Sequence, residues 1–141
     1  MLFRSCGRTL VSIMEVPIER VVHYGILHGV WDEDEEIMKV DKMVEKPMDD
    51  YAKEYLGVKN KRGERKYYAT FGQYVLTREV YDELEKEINS GKPSEGKEFG
   101  LTGALDRVRE NCGMYGFVPK GKAFDIGLPD AYRETMINYC K

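Results

Sequence analysis

The sequence lacks the features that would place it at once among membrane proteins or nucleic-acid-binding proteins. No stretch approaches 18 consecutive apolar residues, so no membrane span is expected. Asp and Glu number 25 against 22 Lys and Arg, a formal net charge of -3, which is not the basic excess typical of a general nucleic-acid binder. We therefore expect neither a membrane nor a nucleic acid among the partners of this chain.

Residues that build nucleophilic or metal centres are also scarce. His23 and His28 have no carboxylate or serine at a diagnostic spacing, so structural roles are favoured for both. No serine stands in a nucleophile elbow, so covalent catalysis has no support. Cys6, Cys112 and Cys140 lie far apart without a Cys-x-x-Cys pair, which favours free or buried thiols in a reducing compartment. The first residues are too short and polar for a signal peptide, and a cytoplasmic location is expected.

What is present fits a single globular α/β domain over residues 1–141. Hydrophobic residues make up 42% of the chain and charged residues 33%, both ordinary values for a folded protein. Apolar, β-branched runs predict strands at residues 8–14, 24–31, 37–46, 67–76, 114–118 and 123–126. Helices are predicted at residues 17–23 and 49–56, and after Thr77, Thr102 and Pro129. This alternation indicates a mixed sheet flanked by helices.

The charged runs and the helix faces carry more detailed predictions. The acidic run at residues 32–36 is interpreted as a hairpin turn rather than a metal cluster, and residues 59–66 as a charged loop. Threonines are expected to cap the two helices that follow Thr77 and Thr102. The helix after Thr77 is expected to bury an apolar stripe formed by Val80, Leu84 and Ile88. The helix after Pro129 is expected to bury Tyr132, Met136 and Cys140 on its inner side.

Two short segments carry the candidate chemistry. Glu45 and Lys46 end an apolar strand just before Pro47, which restricts the backbone of Lys46 and fixes the exit of the chain. A glutamate accepts hydrogen bonds from sugar hydroxyls, and a lysine brings a positive charge to a phosphate. Asp125 lies between Phe124 and Ile126, and a carboxylate in such surroundings needs a partner such as magnesium with phosphate oxygens. A surface ion pair and a helix cap are the simpler alternatives. Gly72 interrupts a strand, which often marks the close approach of a ligand or another backbone.

Taken in order, these segments resemble the C-terminal half of the UTP–glucose-1-phosphate uridylyltransferases, within the sugar-phosphate nucleotidyltransferase family. The similarity covers roughly Arg8 to Tyr139 and is carried by residues 24–26, 44–47, 72–77, 98–105 and 124–127. It implies the C-terminal half of a Rossmann-like nucleotide-diphospho-sugar transferase fold. It also implies transfer of UMP from UTP to glucose 1-phosphate, which forms UDP-glucose and pyrophosphate.

The resemblance also implies roles for single residues. Tyr24, Gly25 and Gly72 match positions close to the hexose, and Glu45 matches the carboxylate that holds sugar hydroxyls. Lys46 matches the lysine that reaches the phosphates, as a catalytic residue. Asp125 matches an aspartate that holds the catalytic Mg²⁺, so it is expected to be catalytic and the one metal ligand in this chain.

The resemblance leaves part of the family pattern unmatched. The Gly-rich loop for the UTP phosphates and the first metal aspartate do not occur before Arg8, so we expect these residues alone to be inactive. Exposed strand edges would then favour a homo-oligomer or docking with a missing N-terminal half. The alternatives are a catalytically silent sugar-nucleotide-binding or oligomerisation module, and a nucleotidyltransferase of other base or sugar specificity.

Overall fold

The computed structural model describes residues 7–93, 99–121, 124, 126, 127 and 129–139. The strands in these residues are β1 (Thr9–Val16), β2 (Gly25–Trp31), β3 (Ile37–Glu45), β4 (Val58–Lys59), β5 (Arg65–Val75) and β6 (Met114–Phe117). The α-helices are α1 (Asp49–Tyr55), α2 (Arg78–Ser90), α3 (Leu101–Cys112) and α4 (Pro129–Asn138), and a 3₁₀ helix (Ile18–His23) joins β1 to β2. The predicted alternation of strands and helices is confirmed. The strand expected at residues 123–126 falls partly outside the described residues, and Phe124 and Ile126 themselves are not in a strand.

The strands form one mixed sheet with the order β1-β6-β3-β2-β5-β4. β1 and β6 run parallel, whereas the other neighbours are antiparallel. β1 also pairs with β5, so five strands follow one another in a closed circuit and each has a partner on both sides for part of its length. The exposed edges expected for these strands are therefore confined to the stretches beyond each pairing.

Helices cover both faces of the sheet because successive strand residues point to opposite sides. On one face Leu27 and Tyr68 lie in a core that includes side chains of α2 and α3. On the other face Ile26 and Ala69 lie in a second core with the 3₁₀ helix and α1. The first core contains the fully buried residues Val80, Leu105 and Val108. The second core contains the fully buried residues Val21, Ala52 and Leu56.

The two charged runs form tight hairpins. In the turn between β2 and β3, the Asp32 amide donates to the Ile37 carbonyl over 2.8 Å, and Asp32 Oδ1 accepts from the Glu36 amide over 3.0 Å. The acidic run is thus a turn, as predicted. The run at residues 59–66 is more ordered than the expected loop. There Asn60 Oδ1 accepts from the amides of Arg62 and Glu64 at 3.0 and 2.9 Å, and β5 begins at Arg65.

The buried face of α2 differs from the prediction in one position. Val80 is fully buried, but Ile88 is 59% exposed and Glu87 is buried instead. At about 100° per residue, Ile88 lies about 80° around the helix from Val80, whereas Glu87 lies about 20° from it. Thr77 occupies the N-cap position of α2, as predicted, but its side chain makes no capping hydrogen bond, and its hydroxyl oxygen lies 3.1 Å from that of Thr9.

The buried glutamate of α2 is neutralised from α3. Arg107 on α3 donates to Glu87 through Nη2, and through Nε to Glu83 over 3.0 Å. The hydrogen bond from Lys86, and then the one from Arg107, hold the pKa of Glu83 below its usual value against the opposing effect of burial. These contacts join α2 to α3, so the polar position costs less stability than an unpaired charge would.

The inner face of α4 is polar rather than apolar. Tyr132 and Met136 are 52% and 64% exposed, so the prediction that they are buried is wrong, and Cys140 lies outside the described residues. Ala131 is the buried residue of this helix. Because residues three, four and seven positions apart share one helix face, Glu134, Thr135 and Asn138 lie on the same side as Ala131 and line a cleft with it.

Two predictions about single residues have direct counterparts in the structure. Cys112 forms no disulfide among the described residues. His28 Nδ1 lies 2.6 Å from Asp41 Oδ1 across the β2–β3 hairpin, so His28 has a carboxylate partner that the sequence spacing did not show, and its structural role stays a prediction. No helix in the described part of the chain is both long and apolar enough to cross a membrane.

Candidate functional site

The end of β3 turns two successive side chains towards each other. Glu45 is the last residue of β3 and pairs with Gly25, the first residue of β2. Lys46 then adopts φ 45°, a left-handed conformation, and its amide donates to the Tyr24 carbonyl over 3.0 Å. Residues of a regular strand would point to opposite faces, but this turn brings Lys46 Nζ within 3.9 Å of Glu45 Oε1. The structure therefore places a carboxylate and an ammonium side by side at one strand end.

Gly25 makes room for that carboxylate. A Cβ atom at this position would lie 3.0 Å from Glu45 Oε2, 3.5 Å from Met43 Cε and 3.6 Å from Thr70 Oγ1. Contacts of 3.0–3.4 Å are tighter than nearly all real Cβ contacts, so a larger residue would displace the carboxylate. The missing side chain lets the Glu45 carboxylate lie over the start of β2.

Thr102 holds the same carboxylate from the other side. Its hydroxyl donates to Glu45 Oε2 over 2.8 Å. The prediction that Thr102 caps α3 is wrong, because α3 begins one residue earlier, at Leu101, with Gly100 in the capping position. The Thr102 side chain makes a contact to β3 instead. Thr102 was not identified as a site residue from the sequence, since only the packing of α3 against β3 brings it to Glu45.

Tyr24 contacts the end of β3 through its backbone and lines a cleft. Its carbonyl accepts from Lys46, and its half-buried side chain lines a cleft of about 510 Å³. The end of β1, Arg20, Phe124 and the inner face of α4 complete the walls. Of the residues predicted to bind substrate, Tyr24 alone is among those that line this cleft, and Gly25, Glu45 and Lys46 are not.

Gly72 has a conformational role. It adopts φ 78° inside β5, where the register with β1 shifts between Val11 and Ile13. A Cβ at Gly72 would meet no described heavy atom within 4 Å, so no other strand approaches it closely. The part of the prediction that concerned another backbone is wrong, because Gly72 serves a β-bulge. The Gln73 amide there donates to Ser12 Oγ over 3.2 Å. A role for Gly72 next to a hexose stays a prediction.

The described residues do not by themselves fit a resident Mg²⁺ ion. Asp125, the expected ligand, lies outside the described residues. Among the residues that are described, no three Asp, Glu, His or Cys side chains lie close enough together to hold a metal ion. The carboxylate of Glu45 faces the Thr102 hydroxyl and the Lys46 ammonium.

Comparisons with known proteins give one consistent family. Residues 3–141 match the family model described as nucleotidyl transferase. The chain is 31% identical over 139 residues to a UTP–glucose-1-phosphate uridylyltransferase of Pseudomonas aeruginosa, covering 99% of this chain and 43% of that protein. It is 29% identical over 129 residues to UTP–glucose-1-phosphate uridylyltransferase 1 of Streptococcus pyogenes, covering 92% of this chain and 37% of that protein.

A solved structure agrees with the sequence comparisons. A UDP-glucose pyrophosphorylase complexed with UDP-glucose has a TM-score of 0.77 and 27% identity, covering 99% of this chain and 46% of that chain. The mixed sheet flanked by helices therefore matches the fold of that enzyme, as predicted. The chain spans less than half the length of the relatives it matches. Because the family match extends over nearly all of its residues, the chain belongs to the nucleotidyl transferase family.

Proposed function

We propose that this chain is the sugar-phosphate-binding part of a UTP–glucose-1-phosphate uridylyltransferase. Its similarity to two UTP–glucose-1-phosphate uridylyltransferases supports this activity. The observation that carries the proposal is the placement of the Glu45 carboxylate over Gly25, with the Lys46 ammonium 3.9 Å from its Oε1 atom. A hexose phosphate carries hydroxyl groups that donate hydrogen bonds and a phosphate that is an anion. In this site the Glu45 carboxylate is the acceptor for the hydroxyls, and the Lys46 ammonium is the cation for the phosphate.

Each residue would have one task in binding glucose 1-phosphate or UDP-glucose. Glu45 accepts hydrogen bonds from hexose hydroxyls, and such bonds to an ionised group are stronger than neutral ones. Gly25 leaves the backbone open to the sugar, and Tyr24 borders the cleft beside it. The exposed ammonium of Lys46 binds the phosphate as a point charge. Gly72 is proposed to lie close to the hexose because the bulge of β5 turns its backbone towards the sugar.

In the proposed reaction, a phosphate oxygen of glucose 1-phosphate attacks the α-phosphorus of UTP. The bond to the β-phosphate oxygen breaks and pyrophosphate leaves. Such transfers depend mainly on positioning and on neutralising charge. Lys46 and the residues around Glu45 provide these functions for one substrate. We propose that a polypeptide of these 141 residues is inactive by itself, and turnover of UTP with glucose 1-phosphate and Mg²⁺ by that polypeptide would contradict this.

The magnesium proposal rests on Asp125 alone and on the family resemblance. Mg²⁺ commonly uses one or two carboxylates together with substrate phosphates, so a single aspartate is chemically sufficient when a phosphate is bound. The test is paramagnetic broadening by Mn²⁺ in the presence of UDP-glucose. We expect broadening around Asp125 that Asp125→Asn removes, and broadening that is unchanged in this variant would overturn the assignment.

The proposed function also includes association with other polypeptides and a cellular location. We propose a homo-oligomer or docking against further sequence of the same enzyme, supported by the open stretches of strand beyond each pairing. A cytoplasmic location is supported by the wide spacing of the three cysteines. Analytical ultracentrifugation tests the first point, since a monomer at every concentration would contradict self-association.

The binding claim is tested by isothermal calorimetry with UDP-glucose. Glu45→Gln removes the charge of the proposed hexose ligand, and Glu85→Gln is the matched control because Glu85 is an exposed glutamate on α2. We expect millimolar or tighter binding by the unaltered chain, about tenfold weaker binding by Glu45→Gln and no change in Glu85→Gln. Absence of binding by the unaltered chain would favour the catalytically silent module, and equal effects of the two variants would remove Glu45 from the site.

A further inference from the structure

We propose that Thr102 is a positioning residue, which fixes the Glu45 carboxylate in the orientation that receives the hexose. This inference rests on the proposed function. Glutamate has several rotatable bonds, and Glu45 stands at a strand end with 38% of its side chain exposed. An unrestrained side chain there would lose rotamer freedom on binding, which weakens affinity. A fixed hydrogen bond in the free protein removes that loss beforehand.

The Thr102 hydroxyl is suited to this task because α3 is anchored to the strand that carries Glu45. Leu105 and Val108 on α3 are buried in the same core as Met43, two residues before Glu45. Arg109 Nη1 also donates to the Asp41 carbonyl on β3 over 2.7 Å. The first turn of α3 is therefore held in register with the end of β3.

The hydrogen bond leaves the carboxylate partly free for a ligand. Thr102 donates to Oε2, the atom that also lies over Gly25, whereas Oε1 faces Lys46. Each carboxylate oxygen accepts about two hydrogen bonds, so acceptor capacity remains on both oxygens. Threonine is β-branched and has restricted χ1 freedom, so the direction of its hydroxyl is better defined than that of serine. Thr102 thus orients the carboxylate without saturating it.

The test compares Thr102→Val, which replaces the hydroxyl by a methyl of similar size, with Thr102→Ser, which keeps the hydroxyl. The ligand-free readout is the ¹³C resonance of the Glu45 side-chain carboxyl. The second readout is the affinity for UDP-glucose. In Thr102→Val we expect the resonance to move towards that of an exposed glutamate and the affinity to fall about fivefold to tenfold. Thr102→Ser should largely restore both.

The outcomes separate this inference from the proposed function. An unchanged Glu45 resonance in Thr102→Val, or an unchanged affinity, would overturn the positioning role. Failure of Thr102→Ser to restore the resonance would assign the effect to packing and would overturn it as well. If the unaltered chain binds no UDP-glucose, the proposed function fails, and the inference fails with it as a role in binding. The resonance would then show only whether the hydrogen bond exists.

Discussion

Replacing Gly25 by alanine should separate ligand binding from folding. The added Cβ would stand 3.0 Å from Glu45 Oε2, against the 3.4 Å or more of an ordinary contact. The carboxylate must therefore retreat by about 0.4 Å, which a side chain at the end of a strand can do. That retreat disturbs the 2.8 Å hydrogen bond from Thr102 and places a methyl group where the hexose would approach.

The expected magnitudes differ for affinity and stability. We expect the affinity of Gly25→Ala for UDP-glucose to fall about tenfold, or about 1.4 kcal/mol. The φ angle of Gly25 is not in the left-handed region, so alanine gains about 0.5–1 kcal/mol of backbone entropy that offsets the tight contact. The free energy of unfolding should therefore change by less than about 1 kcal/mol.

Gly29→Ala on the same strand is the matched control. A Cβ at Gly29 would lie 2.3 Å from the Lys39 carbonyl oxygen and 2.7 Å from Met38 Cγ, and the backbone of a paired strand has little room to retreat. We expect about 1–3 kcal/mol of destabilisation. Chemical denaturation and calorimetry measure both quantities for both variants. Wild-type affinity in Gly25→Ala, or a loss of stability equal to that of Gly29→Ala, would refute the reasoning.

Substitutions at four further positions test other parts of the structure. Lys46→Asn should weaken UDP-glucose binding about tenfold while preserving stability, because asparagine tolerates a left-handed backbone; calorimetry showing wild-type affinity would exclude a phosphate role for Lys46. Gly72→Ala should lower the free energy of unfolding by about 1–2 kcal/mol, since its φ of 78° disfavours alanine, and Gly72→Asn by less. Arg107→Met should lower the free energy of unfolding by about 3 kcal/mol because the buried Glu87 loses the guanidinium that neutralises its charge, and an effect below about 0.5 kcal/mol would count against the ion pair. The pKa of Glu83 is lowered in the folded state, so its contribution to stability is present above the unfolded pKa of about 4.5 and is lost as pH falls through the lower folded pKa. Glu83→Gln should accordingly reduce the acid dependence of unfolding below about pH 4.5, and an unchanged dependence would contradict this.

Local patterns in the sequence predicted most of the fold. The acidic run was assigned to a turn, and the flanking strands expected at residues 24–31 and 37–46 are found at Gly25–Trp31 and Ile37–Glu45. Such features depend on neighbouring residues, so they are visible without tertiary information. The pairing of β1 with both β5 and β6 joins distant segments, and no local pattern specified it.

Several of the errors fall where a distant partner replaces a local one. Thr77 and Thr102 have the side chain of a helix cap, but each bonds a residue more than 50 positions away. Glu87 occupies a buried position that an apolar stripe should have taken, and it does so because Arg107 reaches it from another helix. Helix periodicity predicts which face of a helix is buried. Whether a polar residue can occupy a buried position on that face depends on a partner from another element.

The charged residues of the candidate site could be predicted from the sequence, but the residue that hydrogen-bonds the Glu45 carboxylate could not. Glu45 and Lys46 were identified from sequence, and the structure brings them together with Gly25. Thr102 was missed because its approach to Glu45 depends on the docking of α3 against β3. Asp125 lies outside the described residues, so its role stays a prediction.

The most direct test of the central claim is a titration of the ¹⁵N-labelled chain with UDP-glucose, followed by heteronuclear NMR. We expect the largest saturable shifts at the amides of Gly25, Glu45 and Lys46. We expect Glu45→Gln to abolish these shifts at the same ligand concentration. Saturable shifts confined to other residues, or the absence of any shift at these three amides at millimolar ligand, would contradict it.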